Sequence, residues 1–147
     1  MLRMPEPDAA VLSRRVQIAQ DLRGILPAES VIADEHERRV YESDGLTAYR
    51  QLPMIVVLPE TTEQVSRILK YCSEHNVKVV PRGAGTSLSG GALPLADGIT
   101  LGLGKFSRVL DIDLPNRCAV VQPGVTNLGV TQAVQGLGFY YAPDPSS

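Results

Sequence analysis

The sequence contains little of what marks several common classes of protein. Its 147 residues include no tryptophan, two histidines and two cysteines, and aromatic residues make up only 5%. The spacing of Cys72 and Cys118 suggests neither a disulfide framework nor a metal site, so we predict no bound metal. Because each cysteine falls among apolar residues, we expect both to be small buried side chains in a reducing compartment.

Charge of one sign and long apolar runs are also lacking. The formal net charge is -2, and no basic patch indicates a nucleic acid or an anionic membrane as a partner. No apolar run approaches the length of a membrane span, and residues 1–21 lack the apolar core of a signal peptide. We therefore expect a cytoplasmic protein that associates with a membrane only through a complex.

The 44% hydrophobic content is enough for a folded core, and two amphipathic helices are predicted before residue 76. Asp8 can cap a helix that ends at Gly24, and Thr61 with Gln64 can form a capping box for a helix that ends near His75. The residues expected to face the core are Leu12, Val16 and Ala19 in the first helix, and Val65, Ile68, Leu69 and Cys72 in the second. The mixed-sign run 34–39 is expected to be a solvated turn or short helix.

Apolar runs of strand length flank the second helix. Residues 54–58 and 77–80 are predicted to be strands, so that strand, helix and strand form a βαβ unit with parallel pairing. Residues 99–103 predict a further strand, residues 109–122 a hairpin, and residues 126–135 a last amphipathic helix. The predicted fold class is therefore α+β, in which the βαβ unit is followed by mixed or antiparallel strands with flanking helices.

A glycine-rich segment follows the strand that ends at Val80. It reads Pro81-Arg82-Gly83-Ala84-Gly85-Thr86-Ser87-Leu88-Ser89-Gly90-Gly91. Its glycines can adopt positive φ, and successive N–H groups in such a turn form a concave site that suits an anion. It has no lysine for a Walker A loop, and Leu88 stands where the dinucleotide motif GxGxxG requires glycine. The residues alone leave open both a phosphate-binding loop and an ordinary glycine-rich connection.

Three stretches carry a family resemblance. They are Pro59-Glu60-Thr61-Thr62-Glu63-Gln64-Val65, then the glycine-rich segment, then Val121-Gln122-Pro123-Gly124-Val125 followed by Pro143-Asp144-Pro145-Ser146-Ser147. In this order and spacing, residues 53–147 resemble the FAD-binding domain of the vanillyl-alcohol-oxidase / p-cresol-methylhydroxylase (PCMH) type. The stretch Tyr41-Glu42-Ser43-Asp44-Gly45 resembles the branch of that family containing the glycolate oxidase D-subunit and bacterial D-lactate dehydrogenases.

The resemblance implies FAD as a noncovalent cofactor, because members with covalent flavin often carry histidine where this chain has Thr86. Residues 82–87 would wrap the FAD pyrophosphate, Gly90 and Gly91 would let the chain pass the flavin, and Gly124 would lie at a tight turn. Arg82 could add charge, or pair with a carboxylate and brace the loop. The implied cofactor-binding residues are Pro81, Arg82, Gly83, Ala84, Gly85, Thr86, Ser87, Leu88, Gly90, Gly91, Gly124, Pro143, Asp144, Pro145 and Ser146.

The resemblance also implies a division of the chain. Residues 1–52 would form an N-terminal helical extension, and residues 53–147 the N-terminal portion of the PCMH-type FAD-binding domain. In the family, the rest of that domain and a substrate-capping domain follow. We therefore interpret the chain as a fragment or a truncated gene product that is inactive alone.

The implied activity is oxidation of a 2-hydroxy acid, of the glycolate or D-lactate type, by hydride transfer to FAD, with flavin and iron–sulfur oxidase subunits as partners. The base that this requires is unassigned, since His36 lies in a charged stretch and His75 ends a helix. Two alternatives stay open. One is a flavoenzyme of the same fold with another substrate, alkyl-glycerone-phosphate synthase-like or sugar-nucleotide reductase-like. The other is a non-catalytic module that binds a nucleotide or a partner.

Overall fold

A four-stranded sheet organises the computed structural model, which describes residues 4–143. Its strands are β1 (Val31–Ile32), β2 (Ile55–Val57), β3 (Lys78–Arg82) and β4 (Gly98–Gly102). Their spatial order is β1-β2-β4-β3, in which β4 pairs in parallel with both β2 and β3, and β1 pairs antiparallel with β2. The predicted mixed sheet and α+β class are confirmed. β2 and β3 run parallel but do not pair directly, because β4 lies between them.

The helix predicted over 8–24 is interrupted. Asp8 caps α1 (Ala9–Ser13) by accepting a hydrogen bond from the amide of Ala10 at 2.8 Å, and the chain breaks at Arg14 before α2 (Arg15–Arg23). The predicted buried face was wrong at Val16, which is 72% exposed, whereas Ile18 and Leu22 are fully buried. Two residues along a helix turn through about 200°, so a face built on Ile18 leaves Val16 towards solvent.

Helix α4 (Thr62–Glu74) begins as predicted, because the Thr61 hydroxyl accepts from the amide of Gln64 at 3.2 Å. The side chain of Gln64 accepts from the amide of Glu60, one residue earlier than a capping box requires. Ile68 and Cys72 are buried, and burial raises the pKa of the Cys72 thiol to about 11. Leu69 was predicted on this face but is 47% exposed, since the face that contacts the sheet is narrower than the apolar stripe.

The core lies between the helices and one face of the sheet. It joins residues on both sides of position 53, so the division of the chain at that position stays a prediction. The buried members of the cluster are Val11, Ile18, Ala19, Leu22, Leu26, Val31, Met54, Ile55, Val57, Ile68, Cys72, Val77, Ile99 and Leu101.

The charged run 34–39 contains α3 (Glu35–Arg38), a short helix capped by Asp34. The expectation of a solvated run was wrong for Arg38, which is buried. Its guanidinium donates to the carbonyls of Ala33, Asp34 and Pro53, and burial lowers its pKa. Carbonyl acceptors satisfy the buried cation here, so no carboxylate partner is needed.

The predicted hairpin and last helix are also present. Strands β5 (Val109–Asp113) and β6 (Cys118–Val121) pair antiparallel, and α5 (Asn127–Val134) follows, capped by Thr126. Apolar residues of this region, including Leu110, Val120 and Leu128, are exposed. Cys118 is exposed as well, so the prediction that it is buried was wrong. Apolar spacing identifies a face that can be covered, but only packing against another element buries it.

Candidate functional site

The glycine-rich segment leaves the sheet at the carboxyl end of β3. β2 and β4 run parallel to β3, so their carboxyl ends lie at the same edge. In open sheets of parallel strands, ligands bind outside that edge. The sheet topology therefore places residues 83–91, which we call the glycine-rich loop, where a ligand site is expected.

The backbone of the loop adopts the left-handed region at two positions. Gly85 has φ +78° and Gly90 has φ +80°, whereas Gly83 and Gly91 do not have positive φ. Sequence reasoning gave all four glycines this freedom, and the structure uses it at only two. At Gly85 and Gly90 a residue with a side chain would be strained.

The amides of the loop divide into two groups. Within residues 4–143, no protein acceptor is hydrogen bonded to the amides of residues 83–88. The next amides are used internally: the amide of Gly90 donates to Asp44 at 3.0 Å, and that of Gly91 to the hydroxyl of Ser87 at 3.1 Å. A run of unpaired backbone donors beside glycines is the arrangement that binds anions.

Arg82 lies beneath the loop. Its Nη1 donates to the carbonyl oxygens of Ser43 at 2.8 Å and Ala92 at 3.2 Å, and its Cζ lies 5.7 Å from the centre of the Tyr41 ring. A Cβ at Gly85 would collide with this guanidinium. The alternative in which Arg82 pairs with a carboxylate is not what the structure shows, because its acceptors are carbonyls.

Sequence reasoning missed two residues that contact the loop, Asp44 and Gly45. Asp44 accepts from Gly90, and the amide of Gly45 donates to the carbonyl of Ser87 at 3.0 Å. The available signal was the stretch 41–45, which resembled one branch of the family but was given no role. Contacts over more than forty positions, such as Asp44 with Gly90, leave no local pattern in a sequence.

Gly124 is brought to the same edge of the sheet. Its amide donates to the carbonyl of Phe106 at 2.7 Å, and a Cβ there would lie 2.5 Å from the carbonyl oxygen of Leu103. Leu103 in turn donates to the carbonyl of Arg82 at 2.9 Å. The tight turn predicted at Gly124 therefore packs against the residues that follow β4. These residues lie next to the start of the loop.

The remaining predicted residues have different positions. Leu88 is 63% exposed and lines a mostly apolar cavity of about 340 Å³ together with Met4, Asp44, Leu46, Tyr49 and Leu93. Pro143 is exposed, while Asp144, Pro145 and Ser146 lie outside the described residues. A larger cavity of about 470 Å³ lies between the hairpin and α5, and none of the predicted cofactor residues within 4–143 lines it. We therefore place the candidate site at the loop and not in the larger cavity.

Neither histidine lies at the loop. His36 is exposed on α3. His75 follows α4 and precedes β3, so it lies at the amino end of the sheet, where its ring packs against Tyr71 with the centroids 4.3 Å apart. Tyr71 donates to Asp21 at 2.7 Å, and burial together with this bond raises the pKa of the tyrosine. The Tyr71–Asp21 hydrogen bond therefore joins α4 to α2. We assign no catalytic base among residues 4–143.

Comparison with known proteins identifies the family. The model of a family described as FAD binding domain matches residues 53–147. The chain belongs to that family. FAD is therefore its cofactor, and the PCMH-type fold expected from the sequence is confirmed.

Relatives of known name support this assignment. The chain is 50% identical over 133 residues to glycolate oxidase subunit GlcD of Escherichia coli (strain K12), which covers 90% of this chain and 27% of the relative. It is 46% identical over 110 residues to glycolate oxidase subunit GlcD of Bacillus subtilis (strain 168), covering 75% of this chain and 23% of the relative. The chain thus spans about a quarter of the length of these relatives.

A solved structure shows the same fold. p-Cresol methylhydroxylase with substrate bound is 25% identical and superposes with a TM-score of 0.75 over 92% of this chain and 27% of that chain. Because the match covers nearly all of this chain, the chain adopts part of the fold of p-cresol methylhydroxylase.

Proposed function

We propose that this chain is the FAD-binding part of a flavin-dependent oxidoreductase that oxidises a 2-hydroxy acid of the glycolate or D-lactate type. The observation that carries the proposal is the set of amides at residues 83–88 that have no acceptor in the described part of the chain, at the carboxyl edge of a domain whose family binds FAD. Support for the substrate class comes from the two relatives named as glycolate oxidase subunits.

The loop supplies binding and orientation. Backbone donors suit the doubly charged pyrophosphate of FAD, because N–H dipoles can surround an anion without bulky side chains. Gly85 has no side chain between Arg82 and the ligand side of the loop. FAD supplies the two-electron chemistry when bound, by accepting a hydride. The residues of this chain position it and keep its phosphates close to the sheet.

Further residues are assigned by proposal. Leu88, beside the apolar cavity, contacts the flavin ring, and Gly90, Gly91 and Gly124 let the backbone pass close to the cofactor. Pro143, Asp144, Pro145 and Ser146 form a second contacting segment. Thr86, in place of the histidine that carries covalent flavin in some members, leaves FAD noncovalently held.

The setting of the enzyme is also a proposal. Both glycolate oxidase relatives are named as subunits, which supports the presence of partner subunits. We propose that these partners are of the flavin and iron–sulfur type. Within residues 4–143, no helix combines the length and the apolar content needed to cross a membrane. We place the protein in the cytoplasm, with any membrane association made through that complex.

The loop is tested by Gly85→Val in the full-length protein. Valine at φ +78° is strained, and its side chain displaces the guanidinium of Arg82, so the loop cannot keep its shape. We expect purified wild-type protein to be yellow and to release FAD on acid denaturation, and the variant to retain less than about a tenth of that FAD, a loss of at least about 1.4 kcal/mol in binding.

The matched control is Gly138→Val. Gly138 also has positive φ, +79°, but a Cβ there meets nothing within 4 Å. It imposes the same backbone strain away from the loop, and FAD content should stay at the wild-type level. Full FAD content in Gly85→Val would show that the loop does not hold the cofactor. A colourless wild-type protein that takes up no added FAD would contradict the proposed function as a whole.

A further inference from the structure

Residues 41–46 pack against the glycine-rich loop, and we call them the bracing segment. At its centre the side chain of Asp44 is buried, with the residue only 5% exposed. One carboxylate oxygen accepts from the amide of Leu46 at 3.1 Å, and the other accepts from the amide of Gly90 at 3.0 Å. A buried carboxylate is costly unless it is hydrogen bonded. Because both oxygens of Asp44 are hydrogen bonded, its side chain is held in one position, and it holds Gly90 in place.

Gly45 adds a contact between backbones. Its amide donates to the carbonyl of Ser87, and a Cβ at this position would lie 2.8 Å from the carbonyl oxygen of Thr86. Only a residue without a side chain allows this approach. The bracing segment therefore holds the loop at Ser87 as well as at Gly90.

A third contact comes from beneath the loop. Arg82 donates to the carbonyl of Ser43, and its guanidinium lies beside the ring of Tyr41. The same guanidinium lies directly against Gly85. Thus the bracing segment forms hydrogen bonds with the carbonyl of Ser87 and the amide of Gly90. It also positions Arg82 against Gly85. It makes no hydrogen bond to the amides of residues 83–88.

We infer that Asp44 is a positioning residue, which fixes the glycine-rich loop through Gly90 so that the amides of residues 83–88 are arranged for the FAD pyrophosphate before the cofactor binds. This inference rests on the proposed role of the loop. Asp44 uses its charge on the protein's own amides and supplies no charge to the ligand. Its effect on FAD is therefore indirect, by limiting the conformations that the loop must give up on binding.

The test is Asp44→Asn in the full-length protein. Asparagine keeps the size of the side chain but has one oxygen acceptor where Asp44 uses two, so one of the two amide bonds is lost. FAD is removed, and its dissociation constant for the apoprotein is measured by titration with flavin fluorescence. We expect the constant to rise about tenfold. The unfolding midpoint of the apoprotein is measured in parallel.

Asp97→Asn is the matched control. Asp97 is also a buried aspartate that accepts a backbone amide, that of Asp8 at 2.8 Å, and it pairs with Lys78 at 2.7 Å. It lies beside Gly98 at the amino end of β4, so its loss should lower the unfolding midpoint and leave the FAD dissociation constant within about twofold. A merely structural role for Asp44 would make the two variants alike.

The outcomes separate the two proposals. Weaker FAD binding in Asp44→Asn together with unchanged binding in Asp97→Asn supports the positioning role. Wild-type affinity in Asp44→Asn, or an equal loss in both variants, overturns it. If Gly85→Val loses FAD while Asp44→Asn binds normally, the loop function stands and only the positioning role fails. If Gly85→Val also binds normally, the proposed function of the loop has failed.

Discussion

The two ends of the central sheet treat their polar groups in opposite ways. At the amino end, the side chain of Asp97 is only 3% exposed, and its Oδ2 accepts hydrogen bonds from the ammonium of Lys78 and the amide of Asp8. At the carboxyl end, within the described part of the chain, the amides of residues 83–88 have no protein acceptor. We propose that these unpaired amides at the carboxyl end are kept for the ligand, whereas the polar groups around Asp97 at the amino end pair with one another.

This difference indicates that the groups that stabilise the fold and the groups proposed to bind FAD lie at opposite ends of the sheet. From Lys78 to Arg82, β3 spans four residue steps, or about 13 Å. Over that distance, substitutions usually act independently. Changes at the amino end and in the core should therefore alter the free energy of unfolding alone. Changes at the loop and its bracing segment should alter FAD retention.

The largest effect on the free energy of unfolding is expected in the core. Like the amino end of the sheet, the core is expected to affect stability and not FAD retention. Ile68 is fully buried between α4 and the sheet. Ile68→Ala removes buried methyl and methylene groups and leaves a cavity, so we expect a loss of about 3–4 kcal/mol in the free energy of unfolding. Urea titration of the full-length protein measures this loss, and the FAD dissociation constant of the folded protein should stay unchanged.

Leu69→Ala on the same helix is the control. Because Leu69 is about half exposed, its truncation should cost less than about 1 kcal/mol. Equal losses in the two variants would mean that α4 contacts the sheet over a wider face than the structure gives. A large change in FAD affinity in Ile68→Ala would break the separation between core and loop.

Acid should weaken the amino end. Burial acts to raise the pKa of Asp97, but its hydrogen bonds to Lys78 and to the amide of Asp8 outweigh burial and hold that pKa below its ordinary value. Since the folded pKa lies below the unfolded value of about 3.9, the contribution of this pair is complete above that pH. It is lost as the pH falls through the folded pKa. At pH 7, Asp97→Asn should lower the free energy of unfolding by about 2 kcal/mol.

Urea titrations at several pH values check this expectation. The difference between wild type and Asp97→Asn should shrink as the pH falls from the unfolded value of about 3.9 through the lower folded pKa of Asp97. A difference that stays constant down to pH 2 would show that the charge of Asp97 is not what stabilises the amino end.

Local sequence patterns predicted the elements of this fold well. The strand at 54–58, the helix capped by Thr61 and the hairpin at 109–122 are found in place. The loop is also present, but the strand predicted to end at Val80 continues through Pro81 and Arg82, so the loop begins two residues later than predicted. Each depends on residues close together in the chain: an apolar run, a capping residue or a cluster of glycines. The family resemblance added the cofactor, which the loop's composition alone left open.

What the sequence did not predict depends on distant contacts. Val16 and Leu69 carry helical spacing but face solvent, because the sheet covers a narrower face than the spacing suggests. Arg38 is buried and donates to the carbonyl of Pro53, outside its own helix, and Asp44 accepts from Gly90, 46 positions away. Nothing in the neighbourhood of these residues distinguishes them from surface charges. Order along the chain also gave no reason to place β4 between β2 and β3.

The smallest expected effect is a gain in stability at Thr100, midway between the two ends. Thr100 is fully buried in β4, where it pairs with Val56 on one side and Val80 on the other. Within the described residues, its hydroxyl has no hydrogen-bond partner. Thr100→Val keeps the shape and the preference for a strand but removes an unsatisfied polar group, so we expect a gain of about 1 kcal/mol. Urea titration should show a higher midpoint with unchanged FAD affinity, and a lower midpoint would mean that the hydroxyl is satisfied in solution.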